Sequence, residues 1–227
     1  MPARRQAIVL LSGGLDSAVT LYLAKSRGFA CRCLIFDYGQ RHCREIESAR
    51  KIARAAGCPY RVIKISLPWQ GCALLDKELK IPVGQQAPKG RSAKKIPSTY
   101  VPARNIIFLS FALSFAEATG AKAIFIGAHT HDYSGYPDCR PNFYRAFRKA
   151  ALTGTKSGIE KAAVKIFTPL INKKKAEIIK LGQKLKVPFG LTWSCYRGAK
   201  VPCGRCDSCY FRARGFKAAG LKDPLSG

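Results

Sequence analysis

The sequence has few acidic residues and no long apolar run. Only 13 of its 227 residues are Asp or Glu, against 40 Lys and Arg, so the formal net charge at pH 7 is +27. No apolar stretch approaches the roughly 18 residues that are needed to cross a bilayer. The start of the chain also leads into an apolar segment without a small-residue cleavage site. These absences argue against a membrane span and a secretory leader, and we expect a cytoplasmic protein.

Two common nucleotide-binding signatures are also absent. Neither GxxxxGK[ST] nor GxGxxG occurs, which excludes a Walker loop and a dinucleotide-binding fingerprint. The basic residues run through the whole chain instead of forming one tail. Such a surface attracts anions, either nucleotides or nucleic acid, although a solvated basic surface without a partner is the alternative.

An apolar stretch followed by two glycines stands near the start of the chain. Residues 8–11 (IVLL) are typical of a strand that is buried on both faces, and the residues from Asp16 to Ala24 predict a helix. Between them lies SGGLDS, residues 12–17. Its glycines allow close backbone approach, and the first N–H groups of the helix point at a bound anion. This turn predicts an anion-binding loop, with a tight turn that binds nothing as the alternative.

The order of the remaining elements predicts an α/β fold with a doubly wound, five-stranded and mostly parallel sheet. The further strands are predicted at residues 30–36, 60–65, 123–127 and 164–170, and the further helices at residues 41–56, 104–119, 143–152, 173–185 and 208–219. The helix over residues 104–119 is so apolar that we expect it to be largely buried.

Residues 66–101 contain several prolines and a basic string, and they predict a flap over the site, with plain disorder as the alternative. We divide the chain into an α/β domain over residues 1–190, which carries the anion-binding loop, and a C-terminal subdomain over residues 191–227 that packs on it.

Four of the ten cysteines stand close together near the end of the chain. They are Cys195, Cys203, Cys206 and Cys209, in the pattern C-x7-C-x2-C-x2-C. In a reducing compartment such a cluster indicates a metal site or catalysis rather than disulfides. Four thiolates close a tetrahedron around zinc and leave no open position, which predicts a structural zinc site. An iron–sulfur cluster and chance spacing are the alternatives.

Polar residues follow the strands at the edge where a doubly wound sheet binds its ligands. Asp37 and Tyr38 come directly after the second strand. Arg104 begins a helix, where the helix dipole disfavours a cation unless an anion is bound. After the fourth strand, residues 127–141 carry a mixture that can stack a heterocycle and accept hydrogen bonds from it. Its members are His129, His131, Asp132, Tyr136, Asp138, Cys139 and Arg140.

Taken together, these strings resemble one family. SGGLDS, FDYGQRH (36–42), YVPARN (100–105), DYSGYPDCRPNF (132–143) and the cysteine pattern occur in one order. The chain is similar in them to the 7-cyano-7-deazaguanine synthase family of PP-loop ATP pyrophosphatases, which works in queuosine biosynthesis. The resemblance implies an adenine nucleotide alpha hydrolase-like fold with a C-terminal zinc knuckle. This sequence departs from the family at Asn142, where the family usually has an acidic residue.

The resemblance implies a carbon–nitrogen ligase that uses ATP, ammonium and 7-carboxy-7-deazaguanine, with Mg²⁺ on the phosphates. In the family's reaction, the carboxylate is first activated as an acyl-adenylate, and ammonia displaces AMP from it to give the amide. A second ATP then activates the amide oxygen, and loss of that oxygen leaves the nitrile. A homodimer and direct nucleic-acid binding are both compatible with it. Two alternatives stay open: a PP-loop enzyme that thiolates tRNA or forms lysidine on it, and a non-catalytic zinc protein that binds RNA.

The expected site residues follow from the loops and the resemblance. We expect catalytic roles for Asp16, Ser17, Arg104 and Asp132. ATP is expected at Leu11, Ser12, Gly13, Gly14, Leu15, Asp16, Ser17, Ala18, Asp37 and Tyr38. The deazaguanine is expected at Arg104, Asp132, Tyr136, Asp138 and Arg140. Zinc is expected at Cys195, Cys203, Cys206 and Cys209.

Overall fold

Five parallel strands form the centre of the protein, whose computed structural model describes residues 5–69, 71–83, 96–130 and 136–226. The strands are β1 (Gln6–Leu10), β2 (Ala30–Asp37), β3 (Tyr60–Lys64), β4 (Ala123–Ile126) and β5 (Lys165–Phe167). They lie in the order β3-β2-β1-β4-β5, and every pairing is parallel. The predicted doubly wound sheet is confirmed.

Seven α-helices surround this sheet in the described part of the chain. They are α1 (Leu15–Ser26), α2 (Arg44–Ala55), α3 (Arg104–Thr119), α4 (Pro141–Gly154), α5 (Lys156–Ile159), α6 (Lys175–Lys184) and α7 (Asp207–Ala219). The range of α3 matches its prediction. The structure starts α4 at Pro141, earlier than predicted, because proline is favoured at the first position of a helix. The short α5 was not predicted.

The side chains of β1 alternate between two cores. Ala7 and Val9 face a core that α1, α2, α6 and α7 cover, whereas Ile8 and Leu10 face a core that α3 and α4 cover. All four side chains are buried. The sheet is therefore covered by helices on both faces, which explains why its strands are continuous apolar runs.

The expectation that α3 is largely buried was wrong for one of its faces. Leu109, Ala112 and Ala116 are fully buried, but Ile106 and Phe111 keep 43% and 42% of their surface exposed. The helix packs against β1 and β4 along one side. Because apolar residues occur all round α3, those on the opposite side remain in contact with solvent.

The sheet places two loops at the same edge. The chain leaves β1 toward β2 on one side, and β4 later joins β1 on the other side. The carboxyl ends of β1 and β4 therefore flank the point where the strand order reverses, which is where open α/β sheets bind ligands. SGGLDS follows β1, and Gly127 to His129 follow β4. In the described ranges, no helix is both long and apolar enough for a membrane span.

Candidate active site

A cavity of about 320 Å³ opens at the carboxyl ends of β1, β2 and β4. Its wall includes the SGGLDS loop, the start of α3, the segment after β4 and the residues that follow position 190. The lining residues on which the chemistry depends are Ser12, Gly14, Asp16, Ser17, Tyr38, Glu45, Arg104, His129, Tyr136, Lys175, Trp193, Tyr196 and Arg212. The structure thus brings together residues from nearly the whole length of the chain.

The SGGLDS loop is held between α2 and the C-terminal segment. Gly13 has a φ of +86°, and a Cβ atom there would lie 2.1 Å from the backbone oxygen of Glu45. Its own carbonyl accepts a 2.9 Å hydrogen bond from the N–H of Trp193. Ser17 donates to the carbonyl of Gly14 at 2.9 Å. Only glycine fits the position of Gly13, because both the backbone angle and the nearby backbone exclude a side chain.

The other residues of the expected ATP loop lie around this turn. Leu11, Leu15 and Ser17 line the cavity, and Ser12 donates to the hydroxyl of Ser17 at 3.1 Å. Ala18 is fully buried in the core beneath the loop and does not line the cavity. The hydroxyls and the free end of α1 face the same space, which suits a phosphate.

Asp16 belongs to a charged cluster at the N-terminus of α1. Lys175 donates to both of its carboxylate oxygens, at 3.0 and 2.9 Å. His129 Nε2 lies 3.2 Å from the same carboxylate and 3.0 Å from Lys175 Nζ. Burial alone would raise the pKa of Asp16, but the charges of Lys175 and His129 offset it and hold the pKa well below its ordinary value. Asp16 is therefore an anion with a fixed orientation.

Lys175 was missed by reasoning from the sequence, although a signal was present. It is the first residue of α6, a position where the helix dipole disfavours a cation. The same argument singled out Arg104. Lys175 follows two other lysines in the sequence, and such a run is typical of a solvated surface. Its partner Asp16 lies 159 positions away, so only the fold shows the pair.

Arg104 and Tyr38 meet inside the cavity. Arg104 Nη1 donates to the hydroxyl of Tyr38 at 3.2 Å, and its guanidinium lies 5.9 Å from the centre of the Tyr38 ring. Burial raises the pKa of Tyr38, so its hydroxyl stays protonated at neutral pH. Tyr38 therefore orients the guanidinium, which is available to a carboxylate or a phosphate.

Asp138 does not reach the cavity wall. It is 5% exposed, and its carboxylate accepts a 3.1 Å hydrogen bond from the backbone N–H of Asn105 at the start of α3. Asn105 also donates to the carbonyl of Asp138 at 3.2 Å and to Cys139 Sγ at 3.4 Å. Asp138 thus joins the two predicted loops instead of projecting toward a ligand. Burial raises the pKa of the Cys139 thiol to about 12, which makes it a poor nucleophile.

The other expected site residues are more widely placed. Tyr136 lines the cavity, and its hydroxyl lies 2.6 Å from Thr99 Oγ1. Asp37 ends β2 and Arg140 is exposed at the start of α4, and neither lines the cavity. Asn142 is likewise exposed and outside the cavity wall. Asp132 lies outside the described residues.

The proposed flap is described only in part, since residues 70 and 84–95 lie outside the described residues. Arg41 holds the part before that gap by donating to the carbonyls of Ala73, Lys77 and Leu79, at 3.1, 2.6 and 2.8 Å. Arg41 therefore fixes this loop.

The segment after residue 190 forms one wall of the cavity, which the sequence did not indicate. Trp193, Tyr196 and Arg212 all line it. Arg212 is fixed by a bidentate pair with Asp223, at 2.7 and 2.9 Å, and by a 2.7 Å hydrogen bond to Thr192. The C-terminal segment therefore contributes directly to the site.

The four clustered cysteines come together as the sequence predicts. The sulfur atoms of Cys195, Cys203, Cys206 and Cys209 lie within 4.8 Å of one another. In a tetrahedral zinc–thiolate site the sulfurs are about 3.8 Å apart, so the four thiols fit a metal ion. Backbone N–H groups point at two of them: Cys203 donates to Cys195 Sγ and Cys206 to Cys203 Sγ, both at 3.4 Å.

Comparisons with known proteins agree on one family. The family described as "Queuosine biosynthesis protein QueC" matches residues 6–220. A 7-cyano-7-deazaguanine synthase of Nostoc sp. is 50% identical over 222 residues, which cover 97% of this chain and 96% of the relative. One of Thermoplasma acidophilum is 46% identical and is covered to 92%.

A solved structure described as a 4-thiouridine synthetase–RNA complex with bound ATP resembles this chain in its fold. Its TM-score is 0.50 at 20% sequence identity, over 95% of this chain and 53% of that one. The fold of the sheet and its helices is therefore shared with that protein. Because this family matches residues 6–220, nearly the whole chain, the chain belongs to the QueC family of queuosine biosynthesis enzymes.

Proposed function

We propose that this enzyme converts 7-carboxy-7-deazaguanine, ammonia and ATP to 7-cyano-7-deazaguanine, through an acyl-adenylate and an amide. The observation that carries the proposal is that the SGGLDS loop and Arg104 line one and the same cavity. A carboxylate is a poor electrophile, and adenylation gives it a leaving group. The cavity offers an anion-binding loop for the pyrophosphate and a guanidinium for the carboxylate.

The ATP side of the cavity consists of the SGGLDS loop and the charged cluster. The N–H groups at the start of α1 and the hydroxyls of Ser12 and Ser17 would bind the pyrophosphate. Lys175, held by Asp16, would place a positive charge beside it. Mg²⁺ bound to the phosphates would neutralise part of their charge.

The substrate side of the cavity contains Arg104 and Tyr136. Arg104 would pair with the carboxylate of the deazaguanine and aim it at the α-phosphate of ATP, while its contact with Tyr38 fixes the guanidinium. Tyr136 offers a ring and a hydroxyl to the heterocycle. A role for Asp132 stays a prediction. The raised pKa of Cys139 supports a route without a covalent enzyme intermediate.

A structural zinc ion at the four clustered cysteines is part of the proposal. Their sulfurs are close enough for tetrahedral coordination, and Cys195 and Cys206 pack against the side chains of Ile81 and Trp193. Since Trp193 also holds the SGGLDS loop, zinc would stabilise one wall of the cavity. We expect zinc to be equimolar with the chain by elemental analysis. Cys206→Ala should lose it, whereas Cys43→Ala, an exposed cysteine, should retain it.

One assay tests the activity. Purified enzyme is incubated with ATP, Mg²⁺, ammonium and 7-carboxy-7-deazaguanine, and the products are identified by mass spectrometry. We expect the nitrile, AMP and pyrophosphate, and Asp16→Ala should form none of them while the fold persists. ATP consumption that requires tRNA, without any nitrile, would contradict the proposal and favour an enzyme that acts on tRNA directly.

The partners and the location are also proposed. All ten cysteines are free, which supports a cytoplasmic enzyme in a reducing compartment. The exposed Ile106 and Phe111 on α3 support a homodimer that covers them, and light scattering would test it. Direct nucleic-acid binding stays a prediction from the net charge of +27, which a binding titration at several salt concentrations would test.

A further inference from the structure

The cavity contains a second carboxylate, Glu45, in the first turn of α2. Asp16, the other acidic residue of the wall, is already paired with Lys175 and His129. Within the described ranges, Glu45 makes no hydrogen bond or ion pair through its side chain. It is partly buried and lines the same cavity as Arg104. Glu45 is therefore the acidic group that remains available to a ligand.

The fold places Glu45 beside the phosphate loop. The backbone of Glu45 and Ala49 packs directly on Gly13, where a Cβ atom would lie 2.1 and 2.8 Å from their backbone atoms. The start of α2 is thus fixed against the loop on which the phosphates of ATP would bind. A nucleophile held by Glu45 would approach an acyl-adenylate from this side.

We propose that the carboxylate of Glu45 binds the ammonium ion and accepts a proton from it, so that ammonia forms beside the acyl-adenylate. The inference rests on the proposed function, since it concerns the second half of that reaction. Ammonium is a cation without a lone pair, and it must lose a proton before it can attack carbon. A partly buried carboxylate without another partner can both attract the cation and take the proton.

The protonation chemistry of Glu45 supports this role. Burial raises the pKa of its carboxyl to about 7, against the opposing charge of Arg104. A general base works best when its pKa lies near the pH at which the enzyme operates. Glu45 can therefore accept a proton at neutral pH and return it to water after each turnover.

The step balances in atoms and charge. The ammonium ion gives one proton to Glu45, and the lone pair that this frees forms the C–N bond to the acyl carbon. The bond from that carbon to the phosphate oxygen breaks. A second N–H proton ends on the departing phosphate oxygen, so the products are the amide and AMP. No oxidant or further reactant is needed.

Glu45→Gln tests the inference, with Glu47→Gln on the exposed face of the same helix turn as the matched control. Two activities are measured: ATP–pyrophosphate exchange that depends on the deazaguanine carboxylate, without ammonium, and nitrile formation with ammonium. We expect exchange in Glu45→Gln to stay within about twofold of the wild type. Nitrile formation should fall by about 10²-fold or more, with a raised KM for ammonium. Glu47→Gln should match the wild type in both.

Hydroxylamine provides the second readout, because it is largely unprotonated at neutral pH and needs no base to attack. The Glu45→Gln enzyme should form the hydroxamate from it at close to the wild-type rate. Equal losses of exchange and of nitrile formation would overturn the inference, since they would place Glu45 in adenylation. An unchanged KM and kcat for ammonium would overturn it as well.

Folding and the proposed function are tested separately. If Glu45→Gln does not fold, as judged by circular dichroism, Glu45→Asp keeps the carboxylate and should retain ammonium-dependent activity above that of Glu45→Ala. Equal activity of these two variants would overturn the inference. Wild-type enzyme that gives neither exchange nor nitrile would contradict the proposed function itself, whereas normal exchange with unaltered ammonium use by the variant contradicts only the role of Glu45.

Discussion

Adding a single methyl group to the SGGLDS loop should destabilise the protein at Gly13 but not at Gly14. At Gly13 the backbone has a φ of +86°, and the new Cβ would lie 2.1 Å from the backbone oxygen of Glu45. The left-handed backbone costs an alanine about 1–2 kcal/mol. Relief of the contact requires α2 to move, which costs about 1–3 kcal/mol more. We therefore expect Gly13→Ala to lower the free energy of unfolding by about 2–5 kcal/mol.

Gly14→Ala is the matched control. Gly14 has a φ of −75°, which alanine adopts without strain, and its Cβ would meet nothing closer than Ser12 Oγ at 3.4 Å. Its effect should stay within about 1 kcal/mol. Urea unfolding of the wild type and both variants, followed by circular dichroism, measures these differences. Equal stabilities of the two variants would refute the reasoning, because they would mean that α2 does not rest on the backbone of Gly13.

Two further predictions concern charges. Asp223→Asn leaves the guanidinium of Arg212 buried without its anion and should lower the free energy of unfolding in urea by about 3–5 kcal/mol. Glu160→Gln, which breaks an exposed ion pair with Lys156, should change it by under about 0.5 kcal/mol. Equal effects of the two variants would contradict the assignment of Arg212 and Asp223 as a buried ion pair. Lys175→Met removes a charge that holds the pKa of Asp16 below its ordinary 3.8. Because a lowered carboxyl pKa stabilises the fold above pH 3.8 and less below it, the loss of unfolding free energy should be largest near pH 7 and shrink in acid; a difference that is independent of pH would contradict this.

The strands and the loop chemistry could be predicted from the sequence because both are local. A parallel strand that is buried on both faces is a continuous apolar run, as in residues 8–11, and needs no knowledge of its neighbours. The cysteine spacing likewise brings its four thiols together through short turns. The four-residue helix α5 escaped prediction because it is too short to show a periodic pattern.

The residues that were missed or misplaced depend on contacts between distant parts of the chain. Asp138 was expected to bind substrate from its place in a polar loop, but the structure uses its carboxylate to bond the start of α3. From the sequence, Glu45 is one of two acidic residues in the first turn of an amphipathic helix. Only the structure shows that its backbone packs against Gly13 of the SGGLDS loop. To predict either case, the position of a second structural element must be known, and a local pattern of residues does not contain that information.

The charges of the cavity favour a polyanionic ligand. The first turns of α1, α2, α3 and α6 all contribute to its wall, through Leu15, Glu45, Arg104 and Lys175. Each helix adds the partial positive charge of its dipole, and two of these positions add a full positive charge that the dipole opposes. The carboxylate of Asp16 balances only part of this positive charge. Arg104 and Lys175 therefore gain favourable interactions once an anion lies between them, as expected for a site that binds ATP beside a carboxylate. The binding of both should weaken as salt screens these charges.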